Sequence, residues 1–349
     1  MDALRELVSP SRLTHVVDVG ANPHDGGKPP YLPMLNAGIC HVTGFEPQQE
    51  ALLTLQRMRG PNELYLPYAV GDGSSHTLNV CHASGMTSLL EPNPLTLGLF
   101  PSLQPFAEVI QRVSVETRRL DDIGEIEHLD LLKIDIQGGE LSVFQNGKAK
   151  LAETVAIQTE VSFMTWYQNQ PPFGEVDLEL RRQGFVPHCF TEVRGRRIGN
   201  FTVGGVAPHW LNQLTEADIV YVRDFTRPGV IADEQLKHLA LIAHHCYRSF
   251  DLAFQCLVLL EERQVLETGS SQRYLGLQAS DMRCSGRSWR PGHTHWINPA
   301  APPPSTKCSA SPPSDGSVAG PSTRAFLPIW TAQSFSTAEC DVGLFRPKG

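Results

Sequence analysis

The chain carries three clusters of carboxylate, amide and glycine residues, each where a β-branched run stops. Asp18-Val19-Gly20-Ala21-Asn22 closes a run at 13–19, Glu46 closes one at 41–45, and Lys133-Ile134-Asp135-Ile136-Gln137-Gly138-Gly139-Glu140 closes one at 129–134. In an open α/β sheet the ligand lies in the crevice outside the carboxyl ends of the strands, so these side chains have the best claim to chemistry. At the first end, a small flexible turn lets backbone N–H groups approach a ligand while Asp18 and Asn22 supply hydrogen bonds. It is no dinucleotide fingerprint: a pyrophosphate wants G-x-G-x-x-G opening directly into a helix, whereas Pro23 interrupts here and Asp25 adds negative charge. The acidic flank suits a cationic ligand, such as a sulfonium with an amino-acid tail. The plainer alternative is an ordinary strand-to-helix turn.

At the second end, Glu46 can accept two hydrogen bonds from the 2′ and 3′ hydroxyls of a ribose, which nicotinamide cofactors and S-adenosylmethionine share. It can equally be an acid favoured by the dipole of the following helix. Asp72, in Gly71-Asp72-Gly73 after a run at 64–70, can bond an adenine amino group or simply make a turn. At the third end, alternation puts Lys133 and Asp135 on one face, with Asp135 at the mouth. Ionised groups on a buried strand are costly unless paired, so these form a structural ion pair or line the reaction crevice; the crevice is the favoured reading. Glu140 reads as a helix-starting acid.

These ends need a scaffold. From residue 13 short β-branched runs alternate with helical stretches, the pattern of a doubly wound α/β sheet. Helices are expected at 31–36, 48–59, 141–144 and 175–183, and further strands at 76–81, 112–117, 154–161, 185–190 and 218–224. The run at 129–134 is almost continuously apolar, as in a strand buried on both faces. Residues 86–104, rich in Pro and Leu, lack periodicity, and so long a connection reads as a lid or substrate loop. Two amphipathic helices at 233–247 and 251–263, the second with Ser249 placed to cap it, either pack on the sheet or form a homodimer contact.

Composition divides the 349 residues unevenly. Beyond residue 269, Pro, Gly and Ser are abundant and the net charge is +4, leaving −12 for the first 268 residues. So acidic a surface repels nucleic acid and anionic lipid. No apolar segment approaches the roughly 20 residues that span a bilayer, and the first ten residues lack a signal-peptide pattern, so a cytoplasmic protein without a membrane span is expected. The eight cysteines are scattered without a CxxC pair, and no metal cluster is expected. The expected domains are a catalytic sheet at 1–225, a helical extension at 226–268, and a tail without regular structure at 269–349.

The order Val-Val-Asp-Val-Gly-Ala-Asn at 16–22, Gly-Phe-Glu-Pro at 44–47, Ala-Val-Gly-Asp at 69–72, Arg-Leu-Asp-Asp-Ile at 119–123 and Leu-Leu-Lys-Ile-Asp-Ile-Gln-Gly-Gly-Glu at 131–140 resembles the FkbM-type methyltransferases. The resemblance covers about residues 13–190. It implies an S-adenosylmethionine-dependent enzyme on a Rossmann-like seven-stranded sheet, mostly parallel, with 185–190 and 218–224 as the final antiparallel pair. Two departures stand out: Gln137 replaces the family's usual Glu, and the loop at 23–30 is longer and richer in Pro.

On that template, the expected reaction is methyl transfer to a hydroxyl of a small molecule, glycan or natural product. Asp18, Gly20, Asn22, Glu46 and Asp72 would hold the cofactor. Asp135 and Glu160, at the ends of neighbouring strands, would be candidate bases beside Lys133, with His24 a third candidate base. The segment at 86–104, with Thr87, Ser88 and Glu91, would cover or select the acceptor. Trp166, Tyr167 and Phe173 would wall it or merely pack. The competing readings are a nicotinamide-dependent or sugar-nucleotide enzyme on a related sheet, and a non-catalytic module retaining the fold.

Overall fold

The computed structural model describes residues 2–23, 27–202, 204–206 and 213–284. Its strands are β1 (Thr14–Val19), β2 (Cys40–Phe45), β3 (Glu63–Leu66), β4 (Ala69–Gly71), β5 (Ser75–Cys81), β6 (Val109–Arg119), β7 (Leu131–Ile134), β8 (Ala156–Ser162), β9 (Phe185–Gly195) and β10 (Leu214–Arg223). Its α-helices are α1 (Ala3–Val8), α2 (Leu32–Asn36), α3 (Gln49–Met58), α4 (Pro94–Gly98), α5 (Glu140–Gln145), α6 (Lys148–Glu153), α7 (Phe173–Arg182), α8 (Asp233–His245), α9 (Phe250–Glu262) and α10 (Ser270–Cys284).

Seven strands form one sheet in the order β3-β2-β1-β7-β8-β10-β9. The first five are parallel neighbours, and β10 runs antiparallel to both β8 and β9. This is the Rossmann-like seven-stranded sheet, mostly parallel with an antiparallel final pair, that the resemblance implies. Reversal of order between β1 and β7 opens the crevice where ligands bind, directly above Asp18 and Lys133, which stand opposite each other in register.

Pairing and burial explain why the motif strands are central. On β1, Val16 joins a cluster with α8 and α9 on one face, while Val17 and Val19 pack with Phe45, Leu132 and Ile134 on the other. The apolar faces of α8 and α9 are therefore spent against the sheet, through Leu236, Leu239, Ile242 and Leu257 beside Val16 and Val220. Ser249 precedes α9, but its hydroxyl meets His188 Nε2 at 2.6 Å instead of capping a helix N–H.

Three expectations are modified. The single run at 64–70 breaks at Pro67, which has no N–H for a ladder; β3 stays in the large sheet and β4 joins β6 and β5 in a second, three-stranded sheet. The strand expected at 185–190 continues to Gly195. The tail expected to lack regular structure from residue 269 instead begins with α10, anchored by fully buried Tyr274, whose hydroxyl lies 3.0 Å from His244 Nδ1. Residues 285–349 of that expected tail lie outside the described residues. No helix among the described residues is long and apolar enough to cross a membrane.

Candidate functional site

Two cavities adjoin at the carboxyl ends of β1, β2, β7 and β8. The first is lined by Gly20, Asn22, Phe45, Glu46, Gln48, Tyr68 and Asp135, among others. Gly20 sits at φ 78°, and a Cβ there would come within 2.0 Å of the Asp135 carbonyl oxygen, so only glycine fits this close approach. Glu46 is 2% exposed, and its Oε1 accepts the Gln48 backbone N–H at 2.7 Å. Tyr68 stacks on Phe45 with ring centroids 5.9 Å apart and carries the Arg118 guanidinium 3.5 Å above its ring.

The second cavity holds about 630 Å³, within the roughly 300–1,000 Å³ common for small-ligand sites. Met86, Leu103, Phe106 and Trp166 give it an apolar side, and Asp135, Gln137, Glu160, Glu216, Arg194 and Arg196 a polar one. Ser84, Gly85, Asp135 and Gln137 line both cavities.

Electrostatics in the second cavity are dominated by carboxylates. Burial pushes Glu160 well above the ordinary carboxylate range, reinforced by Asp135 and Glu216. Burial also lifts Asp218 to about 6. Arg194 lies within 4 Å of Glu160, Glu192, Glu216 and Asp218, and Arg196 bonds Glu216 at 2.9 Å. Trp166 Nε1 donates to Glu216 Oε2 at 2.7 Å, which fixes the indole. Beneath the loop, burial raises Glu140 to about 7, although its carboxylate accepts the backbone N–H groups of Ile136 and Gly138.

Residues 18–187 match the family described as Methyltransferase FkbM domain. The matched segment is just under half of the chain. A stretch of 67 residues is 44% identical to 2-O-methyltransferase NoeI of Sinorhizobium fredii, covering 18% of this chain and 28% of that protein. The chain thus spans under a third of the length of that curated relative. Among solved structures, the fold is similar to a magnesium protoporphyrin IX methyltransferase from Synechocystis PCC 6803 with bound S-adenosylmethionine, at 10% identity and TM-score 0.29, covering 63% of this chain and 76% of that one. It is also similar to M. jannaschii TYW2 in complex with AdoMet, at 11% identity and TM-score 0.25, covering 63% and 74%.

Within the matched segment, Gly20, Asn22 and Glu46 meet in the first cavity, Asp135 lies between the two, and Glu160 lies in the second. Three other candidates are elsewhere. Lys133 approaches Asp18 Oδ1 at 3.3 Å and donates to the Gly20 carbonyl, while Asp18 Oδ2 accepts from the Tyr31 hydroxyl at 2.6 Å. Both charges therefore lie beneath the glycine turn and line neither cavity, so the ion-pair reading of Lys133 replaces the crevice reading. Asp72 lines neither cavity either; its Oδ1 takes the Ser74 N–H, the Thr117 hydroxyl and His76 Nε2, and the His76 contact leads in holding its pKa down to about 2. His24 and Asp25 lie outside the described residues.

Of the three aromatic residues expected to wall the acceptor, only Trp166 does so. Tyr167 is buried behind Gln137, and Phe173 packs on Phe163 with ring centroids 5.6 Å apart. The segment at 86–104 contributes to both cavities: Thr87 and Ser88 line the first, and Met86 and Leu103 the second. Glu91 instead points to Arg112 in an exposed bidentate pair. Sequence reasoning missed Tyr68, Arg194, Arg196 and Glu216. The alternation Glu192-x-Arg194-x-Arg196 facing Glu216-x-Asp218 is a usable signal, hidden because the polar residues after 190 do not read as a strand. Among the described residues, no group of three His, Cys, Asp or Glu side chains is placed to hold a metal ion.

Proposed function

We propose that the FkbM domain moves the methyl group of S-adenosylmethionine to a hydroxyl of an uncharged, hydroxyl-bearing acceptor. The observation that carries this reading is the shared wall of Ser84, Gly85, Asp135 and Gln137, which puts a carboxylate where one ligand would meet another. The first cavity suits the cofactor on its own features: a glycine turn open to close backbone approach, a buried carboxylate for ribose hydroxyls, and apolar walls at Tyr68, Val70 and Leu78 for a purine. Bound there, the cofactor would supply an electrophilic methyl carbon on a sulfonium.

What remains for the protein is alignment and removal of one proton. Asp135 is the proposed base because it lies between the cavities. Glu160 is the poorer candidate because burial and its carboxylate neighbours favour its protonated form. Charge narrows the acceptor class. Both arginines in the second cavity already contact carboxylates, so an anionic acceptor would have to displace Glu160 or Glu216 to reach them. The apolar side at Met86, Phe106 and Trp166 suits a molecule with one greasy face and one hydroxylated face. O-methylation also agrees with the similarity to the 2-O-methyltransferase of Sinorhizobium fredii.

Titration calorimetry with S-adenosylmethionine and with NAD tests the cofactor. Binding of the first alone is expected, and binding of NAD alone would overturn the reading. Methyl-labelled cofactor incubated with a cell extract, followed by mass spectrometry of the labelled product, then identifies the acceptor. Label on a carboxylate, phosphate or amine in place of a hydroxyl would sink the acceptor class.

A further inference from the structure

Gln137 stands where the two cavities meet and where both candidate bases converge. Its Nε2 donates to Asp135 Oδ1 at 2.8 Å and to Glu160 Oε2 at 3.1 Å, and its Oε1 accepts from the Tyr167 hydroxyl at 3.0 Å. The amide nitrogen thus faces the two carboxyl groups and the amide oxygen faces the Tyr167 hydroxyl, which matches donors to acceptors. Glu160 is held from its other side by Arg194 Nη1, 3.0 Å from Oε1. Both oxygens of Glu160 are thus engaged, whereas the clip holds only one oxygen of Asp135.

The backbone supplies a second, independent mark. Gln137 has φ 59°, in the left-handed region that non-glycine residues rarely adopt, and Gly138 follows at 101°. Such strain persists only where the surroundings impose it, and it gathers at functional sites. Here Ser88 Oγ donates to the Gln137 carbonyl at 2.7 Å, and the Glu140 carboxylate holds the N–H groups of Ile136 and Gly138. The Tyr167 hydroxyl, on a residue 1% exposed, also lies 3.1 Å from the Met86 carbonyl, so its single proton is shared between the clip and the 86–104 segment.

We propose that Gln137 is a positioning residue for the methyl transfer: a neutral clip, locked by Tyr167, that fixes Asp135 against Glu160 and leaves the second Asp135 oxygen for the acceptor hydroxyl. This rests on the methyl-transfer reading above. An acid at this position would be a third carboxylate between two others and would need a proton to bridge them. The amide donates to both without having to gain a proton. The charged groups around the clip are Glu140 on α5, Lys133 on β7, Glu192 and Arg194 on β9, and Glu216 and Asp218 on β10.

The test follows the Glu160 carboxyl by carbon-13 NMR titration in the full chain, alongside calorimetry with S-adenosylmethionine. Gln137→Met removes both donated hydrogen bonds, so the Glu160 midpoint should rise by at least one pH unit. Gln137→Glu should raise it further. Tyr167→Phe removes one hydroxyl outside both cavities and should raise it by a smaller but measurable amount, with cofactor affinity within threefold of the unaltered chain. An unmoved Glu160 midpoint in folded Gln137→Met overturns the clip; if that variant fails to fold, an unmoved midpoint in Tyr167→Phe does so. The titration needs no cofactor, so failure of the unaltered chain to bind S-adenosylmethionine overturns the methyl-transfer reading separately.

Discussion

Lys133 and Asp18 face each other across adjacent parallel strands, with ammonium and carboxylate 3.3 Å apart beneath the glycine turn. The lysine also donates to the Gly20 carbonyl, so the pair sets the height of the turn that borders the first cavity. Removing one member of a buried pair leaves the other charge uncompensated, which costs far more than the pair contributes. Lys133→Met should therefore lower stability by about 3 kcal/mol in chemical denaturation. A variant of unchanged stability that loses only turnover would return Lys133 to the reacting groups.

Glu46 has two separable duties. One oxygen accepts the Gln48 N–H at the start of α3, and the carboxylate borders the first cavity. Glu46→Gln keeps an oxygen for the backbone but loses the charge, while Glu46→Ala loses both. If the carboxylate binds ribose hydroxyls, each variant should weaken S-adenosylmethionine binding by about 1–3 kcal/mol, and the melting temperature should fall mainly in the alanine variant. Calorimetry paired with thermal melts separates the two, and full affinity in Glu46→Gln would remove the residue from the cofactor site.

Much of this architecture was legible because the motifs end strands. The apolar run at 129–134 announced a central strand, and the polar residues after it had nowhere to lie but the crevice. Sequence could not say that Lys133 would pair with Asp18, since alternation gives a face and register gives the partner. Nor could it show that Tyr167, read as a wall, would stand behind Gln137, because that contact joins residues 30 positions apart in sequence. The break at Pro67 was readable from its missing N–H, yet the β-branched pattern on both sides concealed it.

α10 shows how one buried ring outweighs composition. Its sequence, Ser270–Cys284, is polar and carries Gly276, so periodicity gave no helix there. Tyr274 is nonetheless fully buried against the cluster formed by α8 and α9, and Ser270 and Ser271 are buried beside it. Loss of a buried aromatic side chain costs about 3–5 kcal/mol. A chain truncated after residue 269 should accordingly melt several degrees below one truncated after residue 284, and Tyr274→Ala in the longer chain should reproduce most of the difference. Equal melting temperatures would show that α10 contributes nothing to the fold.

His238 makes stability depend on pH. It is 0% exposed on the face of α8 that meets β1, with Nδ1 3.0 Å from Thr14 Oγ1 and 3.9 Å from Asp130. Burial, aided by Arg12 and opposed by Asp130 and Glu234, depresses its pKa from 6.5 to about 4. The folded chain therefore keeps this ring neutral where the unfolded chain protonates it. Between pH 6.5 and 4 the unfolded state binds more protons, so stability is full above 6.5 and falls as the pH drops to about 4, by at most about 3 kcal/mol from this group. His15, also depressed by burial, acts in the same direction. Denaturation of the unaltered chain and of His238→Gln at pH 7.5 and 5 isolates the contribution: the variant starts less stable but should lose less on acidification. Equal losses in the two proteins would place the acid sensitivity elsewhere.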